Sequence, residues 1–359
     1  MVRRKQAVTI KHVAADAGVS LQTVSRVINN VANVSADMMS RVQASIDRLG
    51  YVPSIAAQRM SGSRSYIILA INDRERTIAD WQMRLGTDWV DQMLLGGMTA
   101  CAEYGYRMLI ELVDTHNDHV ERELGAALTA LQPDGVIITP PHSDNPQILA
   151  LLQAHDIPFA RIGSNGADGL GGIALTMDDE GSARRAVRHL VALGHRAIGF
   201  IAGPADYQLS GWRVDGWRAE MAAAGLMAED HLLATGDFTF EGGAAAARAL
   251  LGCAVRPTAI IASNDQMAFA TLEVARELGL DVPGDLSLVC FDNTPMVRFT
   301  RPPLCAIDQP VAETTARAVQ MLLGGKPGEE PATMLVNVPG NLVVRGSTAA
   351  PYAASLATT

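Results

Sequence analysis

Cysteine is scarce in this 359-residue chain, and its four thiols lie far apart, at Cys101, Cys253, Cys290 and Cys305. No two of them have the close spacing that zinc sites and redox-active dithiols need. We therefore expect buried, reduced thiols with no metal or redox role.

Long apolar runs are also missing. No stretch approaches the roughly 20 residues that a membrane-spanning helix requires. The basic N-terminus has the charge of a signal peptide, but Lys11, His12 and Asp16 interrupt any apolar segment behind it. We expect no association with a membrane and a cytoplasmic location.

Catalytic motifs are absent as well. Neither a G-x-S-x-G nucleophile elbow nor a phosphate-binding P-loop occurs. The glycine-rich segment 169–172 lacks the spacing of a dinucleotide loop, and His116 and His119 stand among polar residues typical of a solvated loop. The sequence predicts a protein that is not an enzyme and that uses neither a cofactor nor a metal ion.

Charge is unevenly distributed along the chain. Residues 1–62 hold eight Lys or Arg and three Asp, a net charge of +5, whereas the whole chain carries −9. The remaining residues therefore carry −14. A basic head on an acidic body indicates a nucleic-acid-binding module joined to a part that does not bind nucleic acid.

The basic segment has the pattern of a helix-turn-helix. Thr9 is placed to cap a first helix, whose apolar positions recur with helical spacing up to Ala17, and Gly18 ends it. Ser20 is placed to cap a second helix that turns Leu21, Gln22 and Arg26 away from its buried stripe. A third helix, 36–49, begins after Ser35, so residues 1–50 can close one small core.

The body alternates short apolar strands with helical stretches. This alternation predicts parallel sheets covered by helices on both faces, and there is too much of it for one sheet. The expected strands are 66–71, 106–112, 135–139, 159–162, 198–202, 232–234, 259–262 and 286–291. The expected helices are 88–103, 120–131, 180–193, 213–224, 241–251 and 266–278.

Residues 8–29 resemble the headpiece of the lactose-repressor/galactose-repressor family, V-T-I-x-x-V-A-x-x-A-G-V-S-x-x-T-V-S-R-V-x-N, at every fixed position. The resemblance continues through Gly50–Pro53 and, more loosely, to Val344–Ser347. His12 departs from it, since the family usually has Asp there, and Met60 replaces a usual Leu.

The resemblance implies a small all-α helix-turn-helix headpiece followed by an α/β, periplasmic-binding-protein-like core of two Rossmann-like subdomains. Three crossovers, near Leu175, Ile307 and Gly340, would join the subdomains. The expected division is headpiece 1–50, hinge helix and linker 51–63, N-terminal subdomain 64–175 with 307–340, C-terminal subdomain 176–306 with 341–348, and disordered tail 349–359.

For DNA, the pattern predicts base contacts and phosphate contacts from different side chains. Leu21, Gln22 and Arg26 are the candidates for base contacts, and Thr9, Ser20, Thr23, Ser25 and Asn29 for phosphates. The resemblance also implies that Ser54, Ala57 and Met60 act at the minor groove, with Met60 as the apolar wedge. A plain linker is the alternative for this segment.

For a small effector, the resemblance places five side chains in a cleft between the subdomains: Arg213, Phe238, Asn264, Asp292 and Gln309. Each has a structural alternative. Asn264 can cap the following helix, Phe238 can belong to the core, and Arg213 can pair with Asp215 or Glu220. The segment 72–87 departs from the shorter family loop, which leaves the effector open.

We therefore expect an effector-controlled transcriptional repressor that binds a palindromic operator in double-stranded DNA as a homodimer and associates with the nucleoid. A small sugar-type effector would release it. A co-repressor-dependent repressor, responding to a purine or a phosphorylated metabolite, is the alternative. A sugar-binding receptor without DNA function is the alternative from another class.

Overall fold

Three short helices form the core of the N-terminal unit, Met1–Tyr66, in this computed structural model. The structure describes residues 8–28, 34–51, 64–83, 88–115, 119–166, 169–324 and 334–352. The helices are α1 (Ile10–Ala17), α2 (Leu21–Ile28) and α3 (Ala36–Leu49). These bounds confirm the three predicted helices, and their buried side chains close one apolar core around Val13, Val24 and Val42.

Local backbone chemistry fixes the ends of these helices. Gly18 has a φ of +64° and Gly50 a φ of +59°, the left-handed conformation that glycine adopts at little cost. The Ser35 side chain accepts a hydrogen bond from the Met38 N–H at the start of α3. At the start of α1, the Thr9 N–H donates to His12 Nδ1 (3.1 Å), so the imidazole satisfies a donor that a carboxylate would otherwise satisfy.

Arg41 of α3 supports the turn between α1 and α2. Its guanidinium donates to the carbonyl of Ala17 (2.6 Å) and to that of Gly18 (3.3 Å), two acceptors that the end of α1 leaves unpaired. One side chain thereby fixes where α2 begins relative to α1.

The second unit, Ile67–Thr359, contains two six-stranded sheets. The first has the order β11-β5-β4-β3-β1-β2, and every neighbouring pair in it is parallel. Its strands are β1 (Ile67–Asp73), β2 (Arg107–Val113), β3 (Gly135–Ile138), β4 (Phe159–Ile162), β5 (Ile173–Thr176) and β11 (Met334–Asn337).

The second sheet has the order β12-β10-β9-β8-β6-β7. Its pairs are parallel except β10 with β12, which is antiparallel. The parallel sheets of the prediction are confirmed, and the antiparallel edge strand is an addition to it. The strands are β6 (Ile198–Ala202), β7 (Leu233–Thr235), β8 (Ala259–Ala262), β9 (Ser287–Asp292), β10 (Cys305–Asp308) and β12 (Asn341–Val343).

Helices flank both sheets. Around the first sheet lie α4 (Arg74–Met83), α5 (Asp88–Glu103), α6 (Val120–Leu131), α7 (Pro146–Ala154) and α12 (Val311–Gly324). Around the second lie α8 (Asp179–Ala192), α9 (Gln208–Ala223), α10 (Phe240–Leu251) and α11 (Asp265–Glu277). No helix in the described ranges is long and apolar enough to cross a membrane.

The chain passes between the sheets three times: after Thr176, after Asp308 and between Asn337 and Asn341. The proposed division of the body into two subdomains rests on these passages. One part of the expected division is corrected. Ala349, assigned to a disordered tail, donates through its N–H to Ser287 Oγ (3.0 Å), and its carbonyl lies 2.9 Å from His195 Nε2. Residues 353–359 lie outside the described residues.

Replacing Arg41 with Ala removes both carbonyl contacts at the end of α1. We expect the free energy of opening of this turn to fall by roughly 1 kcal/mol, seen as faster hydrogen exchange of the amides in residues 13–19. Arg26→Ala is the matched control, because Arg26 is an exposed arginine on α2. Equal exchange in the two variants would rule out the supporting role of Arg41.

Candidate functional site

The candidate DNA-binding face lies on α2. Leu21, Gln22 and Arg26 are all exposed, while Val24, on the opposite side of the helix, is fully buried in the headpiece core. Leu21 keeps 45% of its surface exposed. The structure thus brings together the three side chains predicted to contact bases.

Three of the residues predicted to contact phosphates, Thr9, Ser20 and Thr23, lie at helix starts. Thr9 precedes α1, and Ser20 precedes α2, where its Oγ accepts a hydrogen bond from the Thr23 N–H (3.1 Å) and lies 2.9 Å from Thr23 Oγ1. Ser25 is half-buried on α2. The predictions for Asn29, Ser54, Ala57 and Met60 fall outside the described residues.

The second candidate site is a cleft between the two sheets, lined by polar side chains at strand ends. All five predicted effector residues, Arg213, Phe238, Asn264, Asp292 and Gln309, line this one cavity. The other sheet contributes Asn72 and Asp73 at the end of β1 and Thr139 after β3. Parallel strands present their carboxyl ends at one edge, which is why residues so distant in sequence meet there.

Arg213 is held rigidly at the floor of the cleft. Only 2% of it is exposed; its Nε donates to Asp179 Oδ1 (2.8 Å) and its Nη1 to the Ser263 carbonyl (2.6 Å). The guanidinium carbon also lies 4.3 Å from the centre of the Phe291 ring. The alternative pairing with Asp215 or Glu220 is therefore wrong. The partner is Asp179, which sequence reasoning missed.

Asn264 has the structural role that the sequence left open. Its Oδ1 accepts a hydrogen bond from the Met267 N–H (2.9 Å) at the start of α11, and its Nδ2 donates to the Phe238 carbonyl (2.8 Å). The helix-capping alternative is confirmed, and the same side chain fixes the loop that carries Phe238.

Phe238 is both a core residue and a wall of the cleft. It is 8% exposed, adopts a φ of +67°, and meets the Tyr207 ring edge to face, with 5.4 Å between ring centres. Arg76 lies over both rings, its guanidinium carbon 4.9 Å from the Phe238 centre and 5.6 Å from that of Tyr207. Tyr207 and Arg76 were missed, because neither belongs to a local motif.

Asp265 is a buried carboxyl beside Asp292. Burial, reinforced by the Asp292 carboxylate, raises the pKa of Asp265 from its ordinary 3.8 to about 7. Asp265 Oδ2 accepts a hydrogen bond from the Thr294 N–H (2.7 Å), while its Oδ1 has no hydrogen-bond partner among the described residues. Gln309 Nε2 is likewise a buried donor without a partner in the described part of the chain. A carboxyl oxygen and an amide donor therefore remain available to a polar ligand.

The raised pKa of Asp265 makes stability depend on pH. Native protein holds this proton more tightly than unfolded chain, so the free energy of unfolding falls as pH rises from about 4 to about 7. Asp265→Asn keeps an oxygen to accept from Thr294 and removes the charge. We expect the variant to lose this decline and to exceed wild type above pH 7 by an amount on the order of 1 kcal/mol.

Urea unfolding at pH 5 and pH 8 measures this effect. Asp215→Asn, at an exposed position on α9, is the control and should follow wild type at both values. A variant at Asp265 that follows wild type at both pH values would contradict the assignment.

Both units contain segments that match known protein families. Residues 9–54 match the family of bacterial regulatory proteins, lacI family, and residues 187–348 match the periplasmic binding protein-like domain. The HTH-type transcriptional regulator CelR of Thermobifida fusca is 31% identical over 349 residues, covering 96% of this chain and 100% of that protein. The HTH-type transcriptional repressor CytR of Escherichia coli (strain K12) is 30% identical over 348 residues, covering 97% of this chain and 98% of that protein.

Solved structures agree along nearly the whole chain. The lac repressor dimer bound to operator and the anti-inducer ONPF gives a TM-score of 0.76 at 27% identity and covers 96% of this chain and 100% of that one. The CelR–cellobiose complex gives a TM-score of 0.70 at 29% identity and covers 95% of this chain and 99% of that one. As the headpiece motif predicted, the chain belongs to the LacI family of bacterial regulatory proteins, DNA-binding transcriptional regulators rather than enzymes.

Proposed function

We propose that this chain is an effector-controlled repressor that binds operator DNA through α2 and a neutral sugar in the cleft. The composition of the cleft carries the proposal for the effector. The Phe238 ring stands in a cavity with an unpartnered amide donor, Gln309 Nε2, and an unpartnered carboxyl oxygen, Asp265 Oδ1, among the described residues. A sugar offers hydroxyl groups for such polar atoms and C–H faces for a ring.

The DNA contacts follow from the chemistry of base edges in the major groove. Gln22 can form two hydrogen bonds with adenine, Arg26 two with guanine, and Leu21 can contact a thymine methyl group. Thr9, Ser20, Thr23, Ser25 and Asn29 would hold phosphates on either side. The +5 charge of residues 1–62 supports this assignment.

The segment after the headpiece would act as a hinge helix on the operator. Ser54, Ala57 and Met60 would lie at the minor groove, with the Met60 side chain inserted between base pairs. This assignment rests on the sequence resemblance alone. Binding to chromosomal DNA would also place the protein on the nucleoid.

A homodimer is the proposed assembly. Leu95 and Met98, on the outer face of α5, are 58% and 55% exposed. The inner face is packed so closely that a Cβ at Gly96 would lie 1.9 Å from the Ala312 carbonyl oxygen of α12. An outward apolar face of this kind suits a second copy of the chain, and the related lac repressor was solved as a dimer on operator.

The charge of the cleft favours a neutral effector. Asp73, Asp80 and Asp292 line it together with Arg76 and Arg213, and Arg213 is already paired with Asp179. Carboxylates in excess repel phosphate groups, which argues against a phosphorylated co-repressor. The solved complex of the relative CelR holds cellobiose, a neutral sugar.

Operator selection from randomised double-stranded DNA tests the DNA-binding assignments. We expect wild type to select an inverted repeat and to bind with two chains per site. Arg26→Ala should lose about 1–3 kcal/mol of discrimination at one base pair in each half-site. An unchanged preference in that variant would contradict the base contact, and a single half-site would contradict the dimer.

A thermal-shift panel tests the effector. Cellobiose, maltose and D-glucose stand for neutral sugars, and glucose 6-phosphate and AMP for phosphorylated ligands. A ligand at a hundredfold excess over its Kd should add roughly 2.7 kcal/mol to the free energy of unfolding. We expect a shift with a neutral sugar and none with its phosphate.

The other outcomes separate the alternatives. A shift confined to the phosphorylated ligands would replace the sugar proposal with the co-repressor one. No shift with any compound would remove the effector proposal and leave operator binding untouched.

A further inference from the structure

Arg76 links the two sides of the cleft. It lies in the first turn of α4, which follows β1 of the first sheet. Its backbone N–H donates to Asp73 Oδ1 (2.7 Å). Its side chain reaches residues of the other subdomain, where Nη1 donates to the Asp237 carbonyl (3.2 Å). The same guanidinium covers the rings of Tyr207 and Phe238.

The surroundings of Arg76 suit a cation. Two aromatic rings with a guanidinium carbon within 6 Å of each centre form a favourable cation–π arrangement. Asp80, one helical turn further along α4, places a carboxylate oxygen 3.8 Å from Arg76 Nε. Since the Arg76 side chain is 32% exposed, these contacts hold a group that can still move away into water.

Arg76 also fills space that a ligand would need. The cavity has a volume of about 150 Å³ with this side chain in place. Ligand sites in proteins usually begin at roughly 300 Å³. The ring faces of Phe238 and Tyr207 are the apolar surfaces on which a sugar would pack, and the guanidinium lies on them.

We propose that Arg76 is an intramolecular competitor of the effector: its guanidinium occupies the Phe238–Tyr207 ring faces, and a sugar must displace it to bind. The inference rests on the proposed effector site in this cleft. The displaced arginine also gives up its bond to the Asp237 carbonyl, so that effector binding breaks a link between the subdomains.

Two consequences follow for affinity and for specificity. Only the fraction of molecules with Arg76 withdrawn is competent to bind, and the apparent Kd is raised by the reciprocal of that fraction. A pyranose ring has an apolar C–H face that can replace the guanidinium on the aromatic rings. An open-chain polyol has no such rigid face, so the competition favours cyclic sugars.

Calorimetric titration of the full-length protein with cellobiose, maltose, D-glucose and the open-chain polyol D-sorbitol tests the inference. We expect Arg76→Ala to bind the cyclic sugar that wild type binds roughly two- to thirtyfold more tightly. Arg76→Lys, which keeps a charge without the planar group, should lie between the two. We expect no heat of binding from D-sorbitol with wild type.

Arg74→Ala is the matched control. Arg74 is also on α4, but it donates to the Leu112 carbonyl (3.1 Å) and to Glu123 Oε2 (3.0 Å), both on its own side of the cleft. The Arg74→Ala variant should bind the sugar with the affinity of wild type. A gain shared by both alanine variants would mean that loosening α4, and not removing a competitor, causes the effect, and would overturn the inference.

The remaining outcomes are distinct. Weaker or unchanged sugar binding by Arg76→Ala, beside clear binding by wild type, would overturn the inference alone. The absence of binding in wild type and in every variant would overturn the proposed effector site, and this inference with it. A thermal unfolding midpoint of Arg76→Ala equal to that of wild type without ligand shows that the variant is folded.

Discussion

Parallel strand pairing is the constraint on which the cleft depends. In each sheet the parallel strands end at a common edge. Asp73 at the end of β1, Asn264 after β8 and Gln309 after β10 are therefore brought together although the chain separates them widely. Central strands such as β1 and β8 are buried along their whole length, and their polar side chains begin where the strands end. Because these strands run in the same direction, their buried middles form an apolar core and their carboxyl ends form a polar edge.

The Asp179–Arg213 ion pair joins helix α8 to helix α9. Both side chains are 2% exposed, and removing either one would leave a buried charge without its counterion. Asp179 begins α8, directly after the first passage between the sheets, and Arg213 lies on α9. Through the Ser263 carbonyl the pair also reaches the loop that carries Asn264. The pair thereby connects the segment after this crossover to the cleft.

The sequence predicted those helices and strands whose ends depend on residues close together in the chain. The end of α1 and both ends of α3 were predicted to the residue because Gly18, Ser35 and Gly50 act on their own neighbours. The predicted strands from 135 to 291 lie within a residue or two of the observed ones. The segment 72–87 was taken for a loop, yet it contains α4; β5, α7, β10, α12, β11 and β12 were not predicted. Asp179 and Arg76 act on Arg213 and Asp237, which lie 34 and 161 residues away in the chain. Tyr207 likewise packs on the distant Phe238, and no periodicity records such pairs.

The imidazole at the start of α1 has an electrostatic consequence. A carboxylate at His12 would satisfy the Thr9 N–H and also cancel part of the positive end of the helix dipole. Nδ1 accepts the same hydrogen bond only in its unprotonated form, and a neutral ring leaves that dipole uncancelled. The first helix of a helix-turn-helix crosses the DNA backbone, so this end is free to attract a phosphate. An imidazole in place of the family's carboxylate thus removes a negative charge that would repel a phosphate and leaves the attraction at this helix start to the backbone N–H groups.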